Sequence, residues 1–213
     1  KSKKSSKSKS KVRASKGFVI KFQGDIQASA VSSLREQISA ICQIAKKQDE
    51  VICCIESGGG AVHAYGLAAS QLIRLKTIGL KLTVVVDKVA ASGGYLMAAV
   101  ADDLVCAPFS IIGSIGVISS GFGFQDAIKK LGVERRIHTA GDMKSTLDPF
   151  VPEKPEDVER LLELQKDIFE IFTDMVKERR KGKLKAPESE LFSGAFWTGS
   201  RALQLGLIDG LGE

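Results

Sequence analysis

Residues 91–95 read Ala91-Ser92-Gly93-Gly94-Tyr95, a lone serine set among small residues where an apolar run gives way to a helical pattern. A serine becomes a nucleophile only when its oxygen is held exposed and the neighbouring backbone N–H groups are free. Small flanking residues permit both, because the chain can turn sharply and an acyl group can approach closely. A second cluster, Ser57-Gly58-Gly59-Gly60, follows the preceding apolar run. Two Gly-rich strand-to-helix turns in one sheet predict an oxyanion hole facing a nucleophile, the arrangement that acyl transfer needs.

The base is less obvious. The chain has two histidines, His63 on the helix after the first glycine turn and His138 in a segment of alternating character. Triads are recognised by geometry and not by order, so either could serve Ser92, and either could equally be a structural or surface residue. A lysine replaces histidine as general base when burial brings its pKa toward neutrality. Lys144 follows Thr139-Ala140-Gly141-Asp142-Met143, a small-residue turn that can direct its amine inward. Such an amine needs a hydroxyl to orient it, and Ser114 in Ile112-Gly113-Ser114-Ile115-Gly116 has apolar walls around it. Taken singly, Lys144 reads as one more solvated lysine and Ser114 as a turn residue.

The elements that must position these residues follow from periodicity. Gly17–Phe22 reads as a strand entering a Gly24-Asp25 turn; Val31, Leu34, Ile38, Ile41 and Ala45 recur at helical spacing. Val51–Ile55 and Leu82–Val86 are short apolar runs typical of buried strands, separated by a helix over Ala61–Thr77. A short helix over Gly93–Ala101 comes next. Strands are predicted at Leu104–Ala107, Ile115–Ser119 and Glu134–Thr139, with a helix near Gln125–Leu131. Prolines at 149, 152 and 155 mark a loop over 145–155, and the longest helix runs from about Glu156 to Lys181. Acidic residues at its start and basic residues at its end suit the helix dipole, and its face of Leu161, Leu164, Ile168, Ile171, Phe172 and Met175 predicts core or subunit interface. Alternating strands and helices give an α/β domain with a largely parallel sheet.

Composition narrows the classes. The 213 residues suffice for one core, and 44% apolar with 26% charged residues fits a globular domain. The net charge of +6 comes from the tail: residues 1–16 carry seven lysines and Arg13 with no acid, leaving 23 basic against 25 acidic residues in the rest. The folded part therefore offers no nucleic-acid surface. The tail reads as a disordered basic linker ahead of a domain over 17–213, with a juxtamembrane polybasic segment as the alternative. No apolar run reaches the ~20 residues of a membrane span, so any anchor is expected outside this sequence. Cys42, Cys53, Cys54 and Cys106 lack metal-site spacing and read as small buried hydrophobes.

Three segments together carry a resemblance. Ser57-Gly58-Gly59-Gly60-Ala61-Val62, Asp87-Lys88-Val89-Ala90-Ala91-Ser92-Gly93-Gly94-Tyr95 and Ile112-Gly113-Ser114-Ile115-Gly116-Val117 resemble the bacterial signal peptide peptidase A family of serine peptidases, peptidase family S49. The closing segment from Trp197-Thr198-Gly199 to Gly206-Leu207-Ile208-Asp209 is also similar. His63-Ala64-Tyr65-Gly66-Leu67-Ala68-Ala69-Ser70-Gln71-Leu72 and Thr139-Ala140-Gly141 look most like the SohB-type inner-membrane members. The likeness extends over about residues 17–210.

The resemblance implies a ClpP/crotonase-type fold and a Ser/Lys dyad. Ser92 would be the nucleophile and Lys144, 52 positions later, the general base. Ser114 would orient the lysine, and the backbone N–H groups of Gly59 and Gly93 would form the oxyanion hole. No metal or organic cofactor is implied. The implied substrates are extended apolar peptides, such as signal-peptide remnants or misfolded membrane-protein fragments. It also implies a ring-like homo-oligomer in which Ser92 and Lys144 could meet across a subunit boundary, and a membrane anchor. The family's usual placement is periplasmic, whereas a basic tail beside an anchor favours the cytoplasmic side. One departure stands out: the family commonly has proline where this chain has Gly58, which predicts a looser turn before Gly59. Two other classes compete. An acyl-CoA-processing crotonase relative would need a nucleotide site and catalytic carboxylates, neither identified here; a membrane-tethered scaffold without turnover would need only the fold.

Overall fold

The computed structural model describes residues 14–141 and 144–212. Most of the basic tail therefore lies outside the described residues. The strand β1 (Gly17–Gly24) runs parallel to β2 (Glu50–Ser57), with the helix α1 (Val31–Ile44) between them in the chain. The helical spacing of α1 buries Leu34, Ile38 and Ile41. In β2, Val51, Cys53 and Ile55 are buried while Ile52 and Cys54 are half-buried, so one face is sealed more completely than the other.

Beyond β2 the sheet divides. α2 (Val62–Thr77) leads to β3 (Lys81–Val86), which pairs with the first part of β2, from Glu50 to Cys54. After a break at Asp87-Lys88 comes β4 (Val89–Ala91), which meets β2 at its last residue, Ser57 opposite Ala90. The pattern repeats one strand further out: β5 (Asp103–Cys106) pairs with β3, and β6 (Ile111–Gly113) pairs with β4. The carboxyl end of β2 is thus flanked by a short upper pair that carries the chain into the turn at Ser92. The other edges are β7 (Phe196–Thr198), antiparallel to β6, and β8 (Gly210–Leu211), parallel to β5; every other pairing is parallel.

α3 (Gly93–Ala98) is buried along its whole length and packs on α2. Two expected strands are absent: the sequence predicted Ile115–Ser119 and Glu134–Thr139, and both segments carry no regular structure. The strand lies earlier, at Ile111–Gly113, because only there does the backbone find β4 to pair with. Apolar alternation in 115–119 instead serves to line a cleft. The segment 134–139 is exposed except at Ile137 and finds no strand partner. α4 (Gln125–Lys130) forms as expected.

The long helix α5 (Pro155–Arg179) starts with a proline and two acids, ends with Lys177 and Arg179, and stops two residues before the expected Lys181. It joins the core by Phe172, Thr173 and Val176, while Leu162, Leu164 and Ile171 are exposed. Just past its end, Arg180 is 1% exposed and makes a clamp. Its guanidinium donates to Gly206 O at 3.0 Å and to Asp209 Oδ2 at 2.7 Å. Asp209 Oδ2 also accepts the Leu104 N–H, and Lys183 Nζ sits 2.7 Å from Oδ1. This ties α5 to the turn after α7 (Gly199–Leu205) and to β5. Two short elements, α6 (Glu188–Leu191) and β7, connect the clamp back to β6.

Candidate active site

Ser92 joins β4 to α3 with φ 52° and ψ −122°, backbone values that a side-chain-bearing residue adopts only under constraint. Such strain costs ~1–3 kcal/mol and persists only where the surroundings impose it. Here its N–H donates to Gly113 O at 2.8 Å and its carbonyl accepts the Leu96 N–H at 2.9 Å, so both ends of the turn are pinned. The small residues read in the sequence are needed sterically: a Cβ on Gly93 would run into the Tyr65 ring. Ser92 Oγ makes no hydrogen bond among the described residues.

The other glycine turn faces this one at close range. Gly59 has φ 89°, and a Cβ there would sit 2.7 Å from both Gly93 N and Ser92 Cβ. Its own N–H, expected to point at the oxyanion, is instead donated to Ser57 Oγ at 3.0 Å. Gly60, not Gly59, lines the cleft with Ser92 and Gly93. Neither the Gly60 nor the Gly93 N–H has an acceptor among the described residues, so both can donate beside Ser92.

Ser114 stands close to the same turn, because Ser92 is hydrogen-bonded to the residue before it. It too has a left-handed backbone, with φ 53°, and its N–H donates to Ala195 O at 2.7 Å. Lys144 stands on the loop ahead of α5. It is exposed in a turn, its N–H donating to Gly141 O at 3.2 Å, and it is not among the residues that line the Ser92 cleft. The histidines fare no better: His63 and His138 are both exposed and neither lines that cleft.

The cleft has a volume of about 530 Å³. Ser92, Gly93 and Gly60 form one part of it. The walls are Ile26, Val62 and Leu96, the extended segment 116–120, and Leu161, Leu164 and Ile168 of α5. The lining is therefore largely aliphatic and suits an apolar chain. The loop that bears Lys144 adjoins the start of α5: Thr139, Ser145, Leu147 and Asp148 share a second depression with Asp157. Arg135 fastens that loop through Asp148, at 3.0 Å, which with the Phe150 N–H holds the carboxyl below its usual range.

The sequence reading gave no role to Tyr65. Tyr65 is fully buried, and its hydroxyl donates to Asp25 O at 2.7 Å and lies 2.5 Å from Ser57 Oγ. Burial pushes this phenol up from its ordinary value, so it stays protonated. The only signal was a polar aromatic on the inward face of α2, five residues after Gly60. Of the four cysteines read as buried hydrophobes, Cys53 and Cys106 are buried and Cys42 and Cys54 only half-buried. Burial pushes Cys53 and Cys106 up to about 12, as for inert small hydrophobes, and all four cysteines are free. Among the described residues no group of three or more His, Cys, Asp or Glu is placed to hold a metal ion.

Comparison with known proteins adds the family. The sequence pattern of "Peptidase family S49" matches residues 74–213, and that of "Peptidase family S49 N-terminal" matches residues 1–72. The chain is 44% identical over 195 residues to "Probable protease SohB" of Buchnera aphidicola subsp. Acyrthosiphon pisum, covering 92% of this chain and 57% of that protein. It is 43% identical over 192 residues to "Probable protease SohB" of Haemophilus influenzae, covering 90% of this chain and 54% of that one. It is also 52% identical over 174 residues to "Na(+)/H(+) antiporter NhaA" of Brucella abortus, 79% of this chain but 23% of the antiporter. The chain thus spans little more than half of the two SohB proteins and under a quarter of the antiporter.

Proposed function

The chain belongs to peptidase family S49 and has that family's ClpP/crotonase-type α/β fold; from that premise we propose that it is a peptidase, a serine endopeptidase working through Ser92 and Lys144. The observation that carries the reading is the strained turn at Ser92, set beside two N–H groups without acceptors in an aliphatic cleft. The Lys144 amine takes the proton of Ser92 Oγ as the oxygen attacks the peptide carbonyl carbon. The Gly93 N–H and an N–H of the Gly59–Gly60 turn hold the resulting oxyanion, and Gly60 is favoured over Gly59 because Ser57 already engages the latter. The protonated lysine then gives its proton to the leaving amine as the C–N bond breaks. Water, deprotonated by the same lysine, attacks the acyl ester and returns Ser92 with a free carboxylic acid.

Because Lys144 lies outside the Ser92 cleft of its own chain, the dyad is completed by a second copy, with Ser114 orienting the incoming amine. The exposed apolar residues of α5 and of the segment 118–133, among them Ile118, Phe122 and Leu131, support such a homo-oligomer. The aliphatic walls support extended apolar peptides as substrates, of the kind left by signal peptides or misfolded membrane proteins. The same reading places the protein at the bacterial inner membrane. Its support is the run of eight basic residues ahead of the domain, suited to anionic headgroups; among the described residues no helix is long and apolar enough to cross a membrane.

A fluorophosphonate probe tests the nucleophile: it should label the protein at Ser92 and leave Ser92→Ala unlabelled. Mixing inactive Ser92→Ala and Lys144→Ala chains should restore part of the peptidase activity, since some interfaces then hold an intact Ser92 and an intact Lys144. Labelling at another serine refutes the nucleophile, and no recovery after proven subunit exchange refutes the shared dyad.

A further inference from the structure

Three hydrogen bonds behind the glycine turn run in one direction. Tyr65 has a single hydroxyl proton, and Asp25 O at 2.7 Å, an acceptor only, receives it. The 2.5 Å contact between Tyr65 and Ser57 must then be donated by Ser57, whose oxygen is left to accept the Gly59 N–H at 3.0 Å. The sequence is Gly59 N–H to Ser57 O–H to Tyr65 O–H to Asp25 O, buried at Ser57 and Tyr65. Gly24 O, at 3.3 Å from Ser57 Oγ, is a weaker alternative acceptor for the same proton. This relay fixes the rotation of the peptide plane before Gly59 and so the aim of the N–H that follows, at Gly60.

Tyr65 also bears on the opposite side of the hole. Its Cβ and Cδ2 lie 2.7 and 2.8 Å from where a Cβ on Gly93 would be, so the ring is the surface against which Gly93 packs. One side chain therefore touches both turns: its hydroxyl holds the Gly59–Gly60 side through Ser57, and its ring backs the Gly93 side. We propose that Tyr65, acting through Ser57, is a positioning residue that sets the spacing and aim of the two oxyanion donors, an inference that rests on the serine peptidase reading above. Tyr65 borders the Ser92 cleft, but its hydroxyl is already engaged by Asp25 O and Ser57, so the loss on removing that hydroxyl falls on the transition state and not on peptide binding.

The test is steady-state cleavage of an apolar fluorogenic peptide by Tyr65→Phe, Ser57→Ala and the double variant. Loss of a whole oxyanion donor costs ~10²–10³ in kcat, and a donor that is re-aimed but present should cost about tenfold. Each single variant should lose about tenfold in kcat with KM within about twofold. A peptide boronate, which mimics the tetrahedral adduct, should weaken in parallel. The double variant should be no worse than the poorer single one, because both act through one relay. The control is Tyr95→Phe, which deletes the chain's other buried tyrosine hydroxyl, bonded to Leu207 O at 2.8 Å: it should lower the melting temperature and leave kcat unchanged. Wild-type kcat in Tyr65→Phe and Ser57→Ala, or additive losses in the double variant, overturns the proposal while Ser92→Ala remains inactive. Undiminished turnover in Ser92→Ala overturns the peptidase reading itself and this proposal with it.

Discussion

Adjacent glycines in the first turn should respond to alanine in opposite senses. At Gly59 a methyl group would stand 2.7 Å from Gly93 N and Ser92 Cβ and 2.8 Å from Ala91 O, all parts of the fixed serine turn. The left-handed backbone at φ 89° adds a conformational cost of ~1–2 kcal/mol for any L side chain. Overpacking of this kind costs ~1–3 kcal/mol. Gly59→Ala should therefore lose roughly 2–5 kcal/mol, a large share of the ~5–15 kcal/mol that holds a typical domain together. At ~2–4 °C per kcal/mol for a chain of this size, the melting temperature should fall by several degrees or more. At Gly58 the added methyl meets nothing within 4 Å, and φ is not in the left-handed range. Gly58→Ala should stabilise by ~0.4–1 kcal/mol by restricting the unfolded chain, with peptidase activity kept. Urea titration followed by circular dichroism reads both, the midpoint moving at constant slope. A Gly59→Ala protein as stable and active as the wild type would refute the close approach of the two turns. Destabilisation at Gly58 would refute the open position assigned to it.

Three further outcomes follow from the same structure. The Arg180 clamp should govern acid stability: burial alone would raise the Asp209 carboxyl, but the hydrogen bonds from Arg180, Lys183 and the Leu104 N–H outweigh it and hold it below its ordinary value. The unfolded chain then takes up the proton first, so this stabilisation is present above about pH 4 and is lost as pH falls below it. Asp209→Ala should cost ~3–5 kcal/mol at neutral pH by stranding the buried Arg180, and unfolding measured between pH 3 and 7 should lose its Asp209-dependent fall; an unchanged acid limb would refute the clamp. Cys53 and Cys106, with thiols pushed up to about 12, should resist iodoacetamide in the native protein at pH 8 and react on unfolding, as peptide mapping would show. Finally, His63→Ala and His138→Ala should keep peptidase activity within a few-fold, since both side chains are exposed away from the cleft; loss in either would restore a histidine base.

The parts of the site that read cleanly from the sequence are those made by local chain geometry. Ser92 between Ala91 and Gly93 could be read as a strained turn because small residues have a steric meaning wherever they stand. The helices α1 and α5 were legible from period alone, but the exposure of Leu164 and Ile171 was not, since period identifies a face without saying what covers it. Ile115–Ser119 illustrates the same limit: an apolar stretch that pairs with a strand and one that walls a cleft look alike until the partner is known. Gly59 was assigned through the resemblance alone, since sequence gives no account of where an N–H points. That depends on Ser57 and Tyr65, one placed before the turn and the other on the next helix. The distance from Lys144 to Ser92 is a property of the fold and its assembly, and no local pattern encodes it.

α5 is a beam resting on two supports. Its far end is bolted through Arg180 to the last turn of the chain, and its near end, at Asp157, leans on the loop that bears Lys144. Between them, Leu161, Leu164 and Ile168 form a side of the Ser92 cleft. At ~1.5 Å per residue the 25-residue helix spans roughly 37 Å. Under the peptidase reading, a bulky peptide in the cleft would press on this beam between its two supports. The chain's closing residues, remote from the chemistry, carry the other half of that load.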